Sequence, residues 1–288
     1  MKAAFATVGG VQTRYHTSGN EGPRVLLVHG AGISGASWLK VLDGLGQSFQ
    51  VVAPDTLGHG LTHPGEDRPG PPHPAMLDHL AQLVDDLGWE HFHIVGSSFG
   101  ALLGALLYFR MPDRVQSLVV TSSGSFVNSD EELAGSLEAA YANGMAALED
   151  PTFENCRSRM ERICYEPTAV SPEMIVMQMT EYAMPWAKQA FERRLLGMMD
   201  IEHCRPYRVL ERLEEIGVPT LLLWGYNDTR GIYTRAREAA RRIPQAKLIA
   251  FDRCKHHPHL EHPDAFIDVV TTFLKGQSLD AYGDVIST

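Results

Sequence analysis

Short, almost wholly apolar runs punctuate the chain: Val25-Leu26-Leu27-Val28, Gln50-Val51-Val52-Ala53, Phe92-His93-Ile94-Val95, Leu118-Val119-Val120, Thr220-Leu221-Leu222-Leu223 and Leu248-Ile249-Ala250-Phe251. Each is bounded by Gly, Pro, Asp or Ser, and continuous apolar runs of this length predict strands covered on both faces, as in a largely parallel sheet. Stretches with helical spacing lie between them. In the clearest, Met76, Leu77, Leu80, Leu83, Val84 and Leu87 share one face, and Asp78, Gln82, Asp85 and Asp86 the other. Alternating strand and helix predicts the α/β class. Ahead of this rhythm, residues 3–8 and 11–17 flank Gly9-Gly10 and predict an antiparallel hairpin at the sheet edge.

From about 126 to 205 the strand signal disappears. Apolar residues fall instead at helical spacing: Leu133, Leu137, Ala140 and Tyr141; Phe153, Cys156, Met160 and Ile163; Phe191, Leu195, Met198 and Met199. The expectation is an α/β core in two parts, 1–125 and 206–288, with a helical cap, 126–205, inserted between them. The cap holds eight of the 11 methionines, and their flexible thioethers suit either a surface closing over apolar ligands or the filling of an irregular helical core. The Pro- and Gly-rich segment 64–74 predicts a surface loop, and the polar tail after Lys275 predicts a loosely held end.

A net charge of −10 argues against a polyanion partner, because nucleic acid binding needs clustered Lys and Arg. No run approaches the length of a membrane span, and residues 1–10 carry no charged leader, so a cytoplasmic protein is expected. The four cysteines, Cys156, Cys164, Cys204 and Cys254, lack metal-ligand spacing and are expected to be reduced. Composition leaves self-association open.

Candidate chemistry centres on Gly96-Ser97-Ser98-Phe99-Gly100, which follows one apolar run and opens another, Ala101 onward. A serine at a sharp strand-to-helix turn, with glycine on both sides to admit neighbouring backbone, is the setting of a nucleophile elbow. The spacing selects Ser98. A serine hydroxyl needs a base within hydrogen-bond reach and a third group fixing that base's tautomer. Asp228, beyond the run 220–224, and His256, beyond 248–251, follow Ser98 in the order serine, acid, histidine. Each has a bland alternative, Asp228 as a helix cap and His256 as a solvated loop residue, but both lie just past strand ends, where ligands of parallel sheets bind. After 118–121 stand Ser122 and Ser123, so no carboxylate competes there. Backbone donors for a developing oxyanion are worth about 3 kcal/mol each. The candidates are the N–H of Phe99 and, in His29-Gly30-Ala31-Gly32, that of Ala31. The turn Asp55-Thr56-Leu57-Gly58-His59-Gly60 reads as structural. The cluster His256, His257, His259 and His262 could share a cation, but no cysteine or carboxylate pattern completes a site, so no metal is expected.

These features together resemble the α/β-hydrolase family over nearly the whole length. The catalytic histidine of that family is usually followed five residues on by Glu and seven on by Pro, which selects His256, with Glu261 and Pro263; Lys255 stands where glycine is usual. A serine nucleophile excludes the aspartate-using haloalkane dehalogenases and epoxide hydrolases. Within the family, Asp150-Pro151-Thr152-Phe153-Glu154-Asn155, Ile163-Cys164-Tyr165-Glu166-Pro167 and Pro258-His259-Leu260-Glu261-His262-Pro263 are most similar to the meta-cleavage-product hydrolases, which cut a C–C bond in vinylogous diketo acids. Ser97, Gln178 and His257 stand where those enzymes usually have Asn, a cap Arg and Trp. The cap Arg and Trp help hold the acidic substrate, so their replacement bears on substrate more than on the triad.

The resemblance thus implies a Ser98–His256–Asp228 hydrolase without cofactor, acting on a small apolar or aromatic carbonyl compound. C–C hydrolysis of a ring-cleavage product leads, with carboxylester or small-amide hydrolysis next. A non-catalytic ligand sensor and a cofactor-independent oxygenase or lyase are the further alternatives.

Overall fold

The computed structural model describes residues 1–66 and 69–286. Positions 67–68 of the expected 64–74 loop and 287–288 of the expected loose tail lie outside the described residues. The strands are β1 (Lys2–Val8), β2 (Val11–Ser18), β3 (Arg24–Val28), β4 (Gln50–Pro54), β5 (Phe92–Ser97), β6 (Val115–Thr121), β7 (Thr220–Gly225), β8 (Ala246–Phe251) and β9 (Val285–Ile286). They form one sheet in the order β1-β2-β4-β3-β5-β6-β7-β8-β9. The β1–β2 hairpin is antiparallel and joins β4 antiparallel; all other pairs are parallel.

Helices cover both faces. On one side lie α1 (Leu39–Gly46) and α12 (Pro263–Leu274); on the other, α2 (His73–Asp86), α3 (Phe99–Arg110) and α10 (Tyr233–Arg242). Strand side chains alternate between the two cores. Leu26 and Val28 face one and Val25 and Leu27 the other, which is why these strands read as unbroken apolar runs.

Between β6 and β7 the chain is helical: α4 (Gly124–Val127), α5 (Asp130–Leu148), α6 (Phe153–Glu161), α7 (Pro172–Tyr182), α8 (Ala187–Met199) and α9 (Ile201–Cys204). A capping box starts α5: Ser129 Oγ accepts from Glu132 N at 3.3 Å, and Ser129 N donates to Glu132 Oε2 at 2.9 Å. Helices α6 and α7 share a small core of Cys156, Met160, Cys164 and Ile175. The last short helix, α11 (Pro258–Glu261), precedes α12.

Two expectations need correction. Pro74 belongs to α2, whose first turn tolerates a residue without N–H. The tail is not loose throughout: Val285 and Ile286 pair with Ala250 and Phe251 of β8, and Leu279 is buried. The tail thereby covers hydrogen-bonding groups that β8 would otherwise leave at the sheet edge.

Candidate active site

Ser98 sits between β5 and α3 with φ 54° and ψ −123°, a conformation that costs a non-glycine residue about 1–3 kcal/mol. The surroundings hold it there. Ser98 N donates to Thr121 O at 2.9 Å, and Ser123 Oγ donates to Ser98 O at 2.6 Å. A Cβ on Gly100 would lie 2.2 Å from Val28 O, and one on Gly96 would lie 2.4 Å from Ala101 Cα. The elbow packs so tightly, Gly100 against the end of β3 and Gly96 against the start of α3, that both flanking positions require glycine.

His256 Nε2 lies 3.0 Å from Ser98 Oγ, and His256 Nδ1 lies 2.9 Å from Asp228 Oδ2. A carboxylate only accepts, so Nδ1 carries the proton and Nε2 is left to accept from the serine hydroxyl. The three predicted side chains thus form one hydrogen-bonded chain at the carboxyl ends of β5, β7 and β8, with His256 and Asp228 both buried. Asp228 is neither solvated nor capping a long helix. Its Oδ1 accepts from Arg230 N at 2.8 Å, which fixes the carboxylate. Ser122, at the position where a competing acid was absent, accepts from Gly225 N at 3.1 Å and joins the β6 and β7 ends.

Glu261 organises the loop carrying the histidine. Its Oε1 accepts from Lys255 N at 3.1 Å and His257 N at 3.2 Å, while Oε2 accepts from Tyr165 N in the helical segment. The spacing of Glu261 five residues after His256 therefore has a mechanical reason. His256 N donates to Ile163 O at 3.2 Å, a second tie between this loop and the helical segment.

Ala31 and Phe99 line the same cavity as Ser98, and among the described residues neither backbone N–H has a hydrogen-bond partner. Ala31 is held by its other end: its carbonyl faces His59 Nε2 at 3.0 Å and accepts from Arg194 Nε at 3.2 Å. His29 Nε2 accepts from Thr56 N at 3.0 Å, and burial lowers its pKa to about 4, so the ring stays a neutral strut. The turn 55–60 thereby buttresses the 29–32 loop.

The histidine cluster does not converge on a point. His256 and His257 meet edge to face with ring centroids 5.0 Å apart, and His257 and His259 do so at 5.4 Å. His257 lines the Ser98 cavity, its Nδ1 is buried without a partner, and burial pushes its pKa well below the usual histidine value. It is a neutral imidazole at the wall of the site.

The cavity is about 50 Å³ and is walled by Leu133, Leu137 and Ala140 of α5 and by Phe191, Leu195 and Met198 of α8. Of the methionines, Met198 alone lines it; Met160, Met174 and Met177 line a separate chamber of about 220 Å³ under α6 and α7. Sequence reasoning also missed Arg159. Gln178 does occupy α7, but the helical segment supplies an arginine from α6. Arg159 lines the Ser98 cavity, donating through Nη1 to Gln178 Oε1 at 2.9 Å and through Nη2 to Gly32 O. Gln178 Nε2 and Tyr182 Oη donate to the same carbonyl, at 3.2 and 2.9 Å. Among the described residues no carboxylate pairs with Arg159 or with Arg230, which lines the cavity from the opposite element. Arginines three or two positions apart on a polar helix read as a solvated face, so spacing gave no signal that one turns inward.

An elbow serine, a histidine and a carboxylate in this arrangement can activate a hydroxyl for attack on a carbonyl. The match to the alpha/beta hydrolase family spans residues 25–269, and the chain belongs to that family of hydrolases. It is 29% identical to the 2-hydroxy-6-oxo-2,4-heptadienoate hydrolase of Pseudomonas putida strain F1, covering 93% of this chain and 95% of that protein. It is 27% identical to the pimeloyl-[acyl-carrier protein] methyl ester esterase of Vibrio atlanticus strain LGP32, over 90% and 96% of the two chains. A mutant meta-cleavage product hydrolase from Pseudomonas fluorescens IP01, complexed with acetates, superposes with a TM-score of 0.77 at 26% identity, over 95% of this chain and 97% of that one. Among the described residues no helix is long and apolar enough to cross a membrane.

Proposed function

We propose that the protein hydrolyses a C–C bond in an acidic aromatic ring-cleavage product, with Ser98 as nucleophile, His256 as general base and acid, and Asp228 as the group that orients the imidazole. Ser98 Oγ adds to the carbonyl carbon as its proton passes to His256 Nε2. The oxyanion is held by the N–H groups of Ala31 and Phe99. Collapse of the adduct breaks the C–C bond, and the departing carbon takes the proton from His256. Water, deprotonated by His256, then attacks the acyl-serine and releases an acid and free Ser98. Helices between 126 and 205 act as a cap that shapes the apolar end of the cavity. No cofactor enters this scheme, and we place the reaction in the cytoplasm.

The observation that carries the reading is the hydrogen-bonded series Ser98–His256–Asp228 opening on a cavity with two free N–H donors. Unpaired Arg159 supports an acid as substrate. Carboxylester hydrolysis is the second reading, favoured by the likeness to the methyl ester esterase. Rates on ring-cleavage diketo acids and on p-nitrophenyl esters, for wild type and Ser98→Ala, test both. Loss of at least about 10³-fold in kcat is expected for Ser98→Ala. Equal rates in wild type and variant would sink the proposal, and the faster substrate class decides between C–C and ester cleavage.

A further inference from the structure

Outside the Ser98 cavity a groove of about 570 Å³ runs between α5 and the end of α6 on one side and the 228–232 loop on the other. It shares Ser136, Ile163, Arg230 and His256 with the inner cavity, so the imidazole at the reaction centre also forms part of this outer wall. Three cations border the groove. Arg162 stands exposed at the end of α6, Lys255 is half-buried beside His256, and Arg230 faces both spaces. The two carboxylates on the same rim are already engaged, Glu132 by Arg235 at 2.9 Å and Asp228 by His256 at 2.9 Å. Among the described residues none lies within ion-pairing distance of Arg162, Lys255 or Arg230.

This is a local reversal of sign on a chain whose net charge is −10. Screening confines a charge to about 8–10 Å at moderate ionic strength, so an arriving ligand responds to these cations more than to the distant acidic surface. Arg159 lies one helical turn before Arg162 on α6 and continues the series inward. Burial and the repulsion of Arg159, partly opposed by the charge of Asp228, lower the Arg230 pKa to about 10, so Arg230 remains charged at neutral pH. Unpaired guanidinium groups taken partly out of water are costly unless a ligand anion meets them.

We propose that this groove is the entrance to the site and that Arg162, Lys255 and Arg230 select substrates bearing an anionic oxygen group, which they hold at the threshold while the carbonyl reaches Ser98. The inference rests on the hydrolase reading above. It also gives Lys255, which stands where the family usually has glycine, a task.

A matched pair of esters, p-nitrophenyl acetate and p-nitrophenyl hemisuccinate, reads the preference as a ratio of kcat/KM values. In Arg162→Gln the ratio of charged to neutral ester falls roughly 3–10-fold, and further in Arg162→Glu, since steering by such fields changes association by about 10–10³-fold. Raising salt from about 20 to about 200 mM lowers the ratio in wild type and has little effect on it in Arg162→Glu. Competition by succinate assigns a carboxylate and competition by inorganic phosphate assigns a phosphate. A ratio that ignores salt and both substitutions, or competition by neither anion, overturns the entrance. The neutral ester separates the two claims. Charge preference lost while hydrolysis still requires Ser98 leaves the triad standing, whereas hydrolysis surviving Ser98→Ala removes the triad itself.

Discussion

At Gly100 the chain has no room for one more carbon: a Cβ would meet two backbone oxygens, Val28 O at 2.2 Å and His29 O at 2.4 Å. Backbone cannot swing aside as a side chain can. Gly100→Ala is therefore expected to destabilise by about 3 kcal/mol or more, as overpacked core sites do, and to displace Ser98 with it. Gly135, inside α5, is the contrast, since nothing lies within 4 Å of its missing Cβ. There Gly135→Ala should stabilise by about 0.5–1 kcal/mol through helix propensity alone. Urea midpoints of the two variants check the pair. Both glycines look alike as letters, but the flanking pattern distinguished one: Gly100 closes the elbow motif, and that motif is legible because it encodes this contact.

Among the elements, α7 is joined to the sheet domain through a buried charge. Glu181 accepts from Ser34 Oγ at 2.7 Å and pairs with Arg14 of β2, which also donates to Asp55 Oδ2 at 2.7 Å. Burial, then the charge of Asp55, raises the Glu181 pKa to about 7 despite Arg14. The other charged or titratable groups nearby are Tyr182 beside it in α7, His16 on β2 and Glu173 of α7, with Lys40 of α1 across the chamber under the helix. An acid whose pKa is higher folded than unfolded holds its proton better in the native state. Its contribution is full below the ordinary carboxylate range and lost as pH rises through about 7. Glu181→Gln removes that titration. Wild-type stability relative to this variant should decline between about pH 4.5 and 7 and level off on either side, which urea midpoints across that range would show. A difference that does not vary with pH would mean that folding leaves the Glu181 pKa at its unfolded value. The sheet and most helices were legible because their apolar residues repeat at the period of the element. The latch was not, because Arg14 and Glu181 are far apart in sequence and each reads as a solvated polar position. Strand β9 escaped for another reason: Val285-Ile286 is too short an apolar pair to carry a period. At the site, the meeting of Ser98, His256 and Asp228 and the nearness of the Ala31 and Phe99 N–H groups follow from positions after strands, whereas inward-facing Arg159 depends on packing against Gly32.

For the molecule as a whole, the buried histidines decide its response to acid. Burial lowers the pKa of His29, His79 and His93 to about 4, and of His73 and His259 to about 3. Each regains an ordinary value near 6.5 when the chain unfolds. For a base depressed in the folded state, stability is intact above the unfolded pKa and is lost as pH falls toward the folded one. At pH 5 the unfolded chain holds nearly all of these protons and the native state almost none, so unfolding takes up roughly five and stability falls by roughly 7 kcal/mol per pH unit. Glu181 works in the opposite direction, but at that pH it offsets less than about one proton. A domain with about 5–15 kcal/mol of stability cannot sustain such a slope for more than about two units. Cooperative unfolding by about pH 5 is therefore expected, with steeply falling urea midpoints between pH 6.5 and 5.5. Native near-UV circular dichroism retained at about pH 4.5 would overturn this, and would show that these rings find partners for their added protons on acidification.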